Sequence, residues 1–395
     1  MQRYTVIDMD GHVNEPFEMW EKYLDPNFHE HRPRLVRTDD GVDAIAFAGG
    51  VHVPANNGIG LPGTGLVGRK VGPRTMYEYR FADGHPGGFE PQARLKAMNE
   101  DGIDIGVLFP TLSAVMIAAN PWEAMAVAMA RAYNNWIADF CRSAPGRLYG
   151  AAQVPLLHVD AAVAEARRAV TDLGLKVIYV RPNPYGGRMW TDPIYDPFWQ
   201  CVEELGVPLG FHEGTFPKVM PTAGADRFEN FFFQHIVSHP FEQQLACLSF
   251  LAGGILERFP RLQVIFLEAG CGWLPYWLAR MDGHYEQIGW MVPEITRKPS
   301  EYFRRQCFIS LDPDEHDVPH VVDIVGADRI VFASDFPHYD AIFPGAVAAV
   351  RDRDDLSHEA KRLILGENAA RLLGLRSPAQ GAGTPFAPAP GHPVR

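Results

Sequence analysis

The chain has 395 residues, enough for one large α/β barrel or for two to three smaller domains. It is 47% hydrophobic and 21% charged, the balance of a protein with a sizeable core. With 36 basic against 48 acidic residues the formal charge is −12, which argues against bulk binding to nucleic acid or to an anionic membrane.

Met1 to Asp8 leads into a strand without a secretory apolar core, and no run reaches the roughly 18 apolar residues of a membrane span. Cys141, Cys201, Cys247, Cys271 and Cys307 are odd in number, widely spaced and mostly set in apolar runs. That pattern reads as reduced thiols in a cytoplasmic protein rather than a disulfide frame.

In chain order, short apolar runs alternate with longer helical stretches. The runs are Thr5–Met9, Ile103–Phe109, Leu148–Val154, Leu175–Val180, Val207–Phe211, Leu262–Leu267, Cys307–Leu311 and Arg329–Ala333. They are almost continuously apolar, as parallel strands covered on both faces should be. Helices are expected over Pro121–Cys141, over Pro240–Phe259, and over Leu356–Leu373 with Gly374 closing the last. Eight strands each followed by helical sequence predict a (β/α)8 barrel. An open doubly wound sheet is less suitable, because no glycine-rich phosphate turn follows the first strand.

Two segments break the alternation. Residues from about 26 to 91 are rich in Gly, Pro and Asn, too long for an ordinary βα loop, and read as an insertion over the barrel mouth with a small hairpin. The rest of 1–375 forms one barrel domain, and the Pro/Ala/Gly-rich tail over 376–395 is expected to be disordered.

Barrel enzymes carry their chemistry where strands end. Here the first strand ends in Asp8-Met9-Asp10-Gly11-His12, the fifth in His212-Glu213-Gly214, the sixth in Glu268-Ala269-Gly270, and the eighth in Ser334-Asp335-Phe336-Pro337-His338. Asp10 and His12 stand two residues apart, so an extended strand turns both side chains to one side. With His212 and Asp335 they make two nitrogens and two carboxylates, a set suited to Zn(II), Mn(II), Fe(II) or Mg(II).

These motifs resemble the second branch of the amidohydrolase superfamily, which contains aminocarboxymuconate semialdehyde, resorcylate and 5-carboxyvanillate decarboxylases. Arg94-Leu95-Lys96-Ala97-Met98-Asn99-Glu100-Asp101-Gly102-Ile103-Asp104, Phe259-Pro260-Arg261-Leu262 and Glu367-Asn368-Ala369-Ala370-Arg371-Leu372-Leu373-Gly374 extend the likeness over nearly the whole barrel. The resemblance implies one catalytic divalent ion (Zn, Mn or Fe) held by Asp10, His12, His212 and Asp335. It also implies a homodimer or homotetramer. The acidic first ligand is more similar to the manganese-dependent members than to the His-x-His zinc ones.

Strand six departs from the family, with Glu268 in place of a histidine that assists chemistry. Three roles are open to it: metal ligand, general base, or clamp for a cationic group. His239 in Ser238-His239-Pro240, opening a helix at the catalytic face, is a substitute acid/base, with His235 a weaker one. Arg181 after strand four is a candidate carboxylate clamp, Trp273 a wall for an aromatic substrate, and His338 a substrate contact or partner of a ligand.

The leading expectation is non-oxidative decarboxylation of an aromatic or unsaturated carboxylic acid, a small-molecule substrate, with Glu268, His239 and Asp335 as catalytic groups. A second is hydrolysis by metal-activated water of an ester, lactone, amide or C–C bond beside a carbonyl, with Asp335 accepting the proton. A third is a metal-free barrel that binds a ligand.

Overall fold

The computed structural model describes residues 4–215 and 220–375. Eight parallel strands form one sheet: β1 (Ile7–His12), β5 (Ile105–Phe109), β6 (Leu148–Gln153), β7 (Val177–Val180), β8 (Leu209–Phe211), β9 (Val264–Phe266), β10 (Cys307–Leu311) and β11 (Ile330–Phe332), hydrogen-bonded in that order. Each overlaps one of the apolar runs read from the sequence, β1 running three residues past the expected Met9 to His12. Helices separate all of these strands, and the sheet curls until its last strand reaches its first. The result is a TIM-type barrel.

Polar groups stitch the closing seam. The Asp335 N–H donates to the Asp10 carbonyl at 2.8 Å, and the His12 N–H to the Phe336 carbonyl at 2.7 Å. Asp8 takes the Ser334 N–H at 2.9 Å and the Ser334 hydroxyl at 2.6 Å, so it holds the two strands together and stands apart from the metal set. Register along β1 shifts between Asp8, opposite Gly106, and Gly11, opposite Leu108. Three steps on β1 thus face two on β5, a bulge that re-aims the residues at the strand's end.

Arg94, fully buried, lies behind this seam. It donates through Nε to the Gly87 carbonyl at 2.8 Å and also bonds the His12 carbonyl, while its guanidinium sits 4.5 Å from the centre of the Phe336 ring. One side chain therefore ties the insertion, the first strand and the last strand together. Arg94→Met strips the donors from buried carbonyls and is expected to cost about 2–4 kcal/mol of stability. Urea unfolding measures this; a loss below about 0.5 kcal/mol would show the seam does not depend on it.

The insertion holds an antiparallel sheet of β2 (Arg34–Arg37), β3 (Asp43–Phe47) and β4 (Gly50–His52), one strand more than the expected hairpin. Ala48 and Gly49, at φ +53° and +79°, make the tight turn between β3 and β4.

One expected boundary is wrong. The helix placed at Pro240–Phe259 begins nine residues earlier and runs from Phe231 to Ala252, with Pro240 inside it. Its start is set by Asn230, whose side chain accepts the Phe232 N–H at 2.9 Å. Proline serves a first helical turn well, which made Pro240 read as a start; here it lies in the third turn, and His239 is a mid-helix residue.

The helix predicted over Leu356–Leu373 is His358–Leu372, with a π turn at Leu363–Glu367 where Gly366 leaves no room for a Cβ against the Thr5 carbonyl. Gly374 ends it at φ +63°. The tail 376–395 lies outside the described residues. All five cysteines are free and buried, and no helix among the described residues is long and apolar enough to cross a membrane.

Candidate metal centre

At the C-terminal mouth of the barrel Asp10, His12 and His212 converge, all fully or almost fully buried. Each histidine is held by its other nitrogen. His12 Nδ1 lies 3.1 Å from the Pro110 carbonyl, and His212 Nδ1 lies 2.8 Å from the Glu213 carbonyl. A carbonyl only accepts, so both Nδ1 atoms carry a proton, and in the neutral form that a metal ligand requires both Nε2 atoms present bare lone pairs. Those two Nε2 atoms face each other at 2.9 Å with no proton to share.

Around them stand carboxylates. Asp10 Oδ1 is 3.4 Å from His12 Nε2 and 3.1 Å from His212 Nε2; Asp335 Oδ1 is 3.4 Å from His12 Nε2. Both Asp10 oxygens are buried without a hydrogen-bond partner. Acceptors turned on acceptors in a dry site are costly unless a cation sits among them. Donors bound to one ion by bonds of about 2.1 Å stand roughly 3–3.5 Å apart, the spacing found here. The residues present fit a divalent metal.

The charges agree. Burial opposes ionisation of Asp10, and it is positive charge at His212 and His12, the place a cation would take, that holds its carboxyl well below the usual range. Burial, with Asp340 and Asp10, pushes Asp335 well above it. Burial and the imidazoles of His338 and His212 bring His12 down to about 3, leaving it neutral as a ligand must be.

Glu268 completes the wall. Its Oε2 is 3.0 Å from His212 Nε2, and its Oε1 is 3.6 Å from His239 Nε2 and 4.0 Å from His338 Nδ1. Burial first, then Asp335 and Asp10, push its carboxyl well above the ordinary range. Glu268 and Asp335 both have positive φ, +50° and +54°, an unfavourable backbone for residues with a side chain. Strain of that kind collects at functional sites.

His338 stacks on His12 at 4.2 Å between ring centres, with Nδ1 2.7 Å from Asp335 Oδ1. Thr111 bridges it to His12 from behind, 3.2 Å from His338 Nε2 and 3.4 Å from His12 Nδ1. Thr111 is placed in turn by Glu15, which takes the Thr111, Leu112 and Ser113 N–H groups at 3.2, 2.9 and 3.1 Å. Neither Thr111 nor Glu15 was found from sequence; the only signal was a carboxylate three residues past His12.

A cavity of about 110 Å³ opens over this cluster. His12, His212, Glu268 and His338 form its floor, while Tyr179, Phe231 and Tyr339 are among its walls, joined by Asn56, Ile59 and Thr64 of the insertion. Arg181 reaches it too, but its guanidinium is paired with Glu213 at 2.7 Å and bonds the Gly214 carbonyl at 2.7 Å. Trp273 does not line the cavity. It stands just before the helix Leu274–Ile288, and its ring packs edge-on to Phe266 at 6.5 Å between centres.

The amidohydrolase family model matches residues 7–375. The chain belongs to that family. This amidohydrolase is 27% identical over 289 residues to the 2-amino-3-carboxymuconate-6-semialdehyde decarboxylase of Dictyostelium discoideum, covering 73% of this chain and 77% of that one. It is 31% identical over 296 residues to a gamma-resorcylate decarboxylase of a Rhizobium species, covering 71% and 85%. In three dimensions it is similar to a dihydroxybenzoic acid decarboxylase of a Polaromonas species solved with manganese and the inhibitor 2-nitroresorcinol. There the TM-score is 0.65 at 19% identity, covering 94% of this chain and 97% of that one.

Proposed function

We propose that this amidohydrolase is a metal-dependent, non-oxidative decarboxylase of an aromatic or unsaturated carboxylic acid. The observation that carries the reading is the juxtaposition of Glu268 with two groups that share His12, Asp10–His12–His212 and His12–Asp335–His338, beneath an aromatic-walled cavity. The names of its relatives support the substrate class. Two nitrogens and two carboxylates without a thiolate suit manganese, the ion of the Polaromonas structure. Such an ion supplies Lewis-acid stabilisation of the substrate's carboxylate and a neighbouring oxygen.

The chain's own residues do the rest. Tyr179, Phe231 and Tyr339 flank a ring and exclude water. Glu268, which lines the cavity beside His212, delivers a proton from its carboxylic-acid form to the carbon bearing the carboxylate. The bond from that carbon to the carboxylate then breaks, its electron pair restores conjugation, and CO2 leaves. His239, 3.6 Å from Glu268 Oε1, passes a proton from water back to Glu268, which closes the cycle. Arg181, already paired with Glu213, shapes the cavity wall.

The test is to incubate manganese-loaded protein in D2O with carboxyl-13C-labelled dihydroxybenzoates and unsaturated dicarboxylates. Release of labelled CO2 with one deuteron on the vacated carbon is expected. Hydrolysis of esters, lactones or amides with no CO2 from any acid would replace this reading with the metal-activated-water one.

A further inference from the structure

The cavity lies between two elements far apart in sequence. On one side is the insertion, which contributes Asn56 and Ile59; on the other is the helix Phe231–Ala252, which contributes Phe231, His235 and His239. One hydrogen bond ties them across the mouth. The Phe231 N–H donates to Asn57 Oδ1 at 2.5 Å, joining residues 174 apart.

That bond is held in place from both ends. The first N–H groups of a helix have no partner within it. Asn230 caps the Phe232 N–H locally, and Asn57 supplies the acceptor for Phe231 from the insertion. Asn56 and Asn57 both adopt the left-handed conformation, at φ +41° and +53°, which asparagine tolerates better than most residues. Gly58 follows at φ +100°, packed so closely on the Pro73 carbonyl that no Cβ fits. On its far side the insertion is fastened to the last barrel loop: the Tyr339 N–H donates to the Gly63 carbonyl and the Val67 N–H to the Pro337 carbonyl, each at 3.1 Å. Asn57 is thus the link between a segment anchored beside Asp335 and the helix that carries His239.

We infer that Asn57 is a specificity-determining latch. By fixing the gap between Ile59 and Phe231 it sets the width of the cavity, which then accepts a flat ring and rejects rings with bulky substituents. This rests on the decarboxylase reading for its substrate class, whereas the latch itself is a statement about geometry.

The test compares wild type with Asn57→Gly and Asn57→Asp. Glycine keeps the left-handed backbone and removes the acceptor; aspartate keeps both. Asn57→Gly is expected to raise KM for the accepted ring acid by roughly 5–10-fold, the worth of one hydrogen bond, with kcat within about 3-fold of wild type. The preference for unsubstituted over ring-substituted acids should narrow by a similar factor, and Asn57→Asp should behave as wild type. Hydrogen exchange is the second measurement: amides of residues 55–64 and of Phe231 should exchange faster in Asn57→Gly and not in Asn57→Asp. Wild-type KM and unchanged exchange in Asn57→Gly would overturn the latch. If no acid is turned over by any form, the decarboxylase reading fails, and the exchange comparison still decides whether Asn57 holds the two walls together.

Discussion

Asp335→Ala is expected to lose the bound ion and to lower kcat/KM by on the order of 10³-fold. Asp335 reaches His12 Nε2 at 3.4 Å from a backbone with φ +54°, on the stretch where the last strand closes against the first. Removing it leaves two bare imidazole nitrogens and Asp10 to hold a cation with one anionic ligand instead of two. Asp335→Asn keeps shape and seam while discarding the charge, so it should fall nearly as far in activity with little change in stability. Elemental analysis beside steady-state kinetics measures both effects. Full activity in Asp335→Asn would remove Asp335 from the ligand set.

Glu268→Gln is the second large effect and has the opposite signature. The amide cannot deliver a proton to carbon, so kcat should drop by roughly 10²–10⁴-fold, the usual share of a general acid. The ion should stay, because Asp10, His12, His212 and Asp335 are untouched. His239→Ala should slow turnover less, since His239 touches Glu268 rather than the reacting carbon in this account. Loss of metal in Glu268→Gln would instead make Glu268, 3.0 Å from His212 Nε2, a fifth ligand.

The barrel was legible in the sequence because parallel strands covered on both faces are written as unbroken apolar runs, and because a polar residue after such a run stands out. That logic reached Asp10, His12, His212, Glu268 and Asp335, which the structure gathers at one mouth. Partnerships between distant residues were not legible. Arg181 reads as a carboxylate clamp until Glu213 is placed 2.7 Å away, on the next strand's end. The aromatic character of Trp273 gives no sign of which side of its turn it faces. Asn57 appears as one more loop asparagine, and Arg94 as one residue of a helical motif. Local signals also competed at Ser238-His239-Pro240, where proline reads as a helix start although Asn230 had already supplied one.

Whether these residues hold a single divalent ion is decided by the metal content of the purified protein. About one equivalent of manganese or a similar ion per chain is expected after reconstitution, lost in Asp335→Ala and retained in Glu268→Gln. No ion in the reconstituted wild type, with every donor in place, would contradict it and leave a barrel that binds its ligand without a metal.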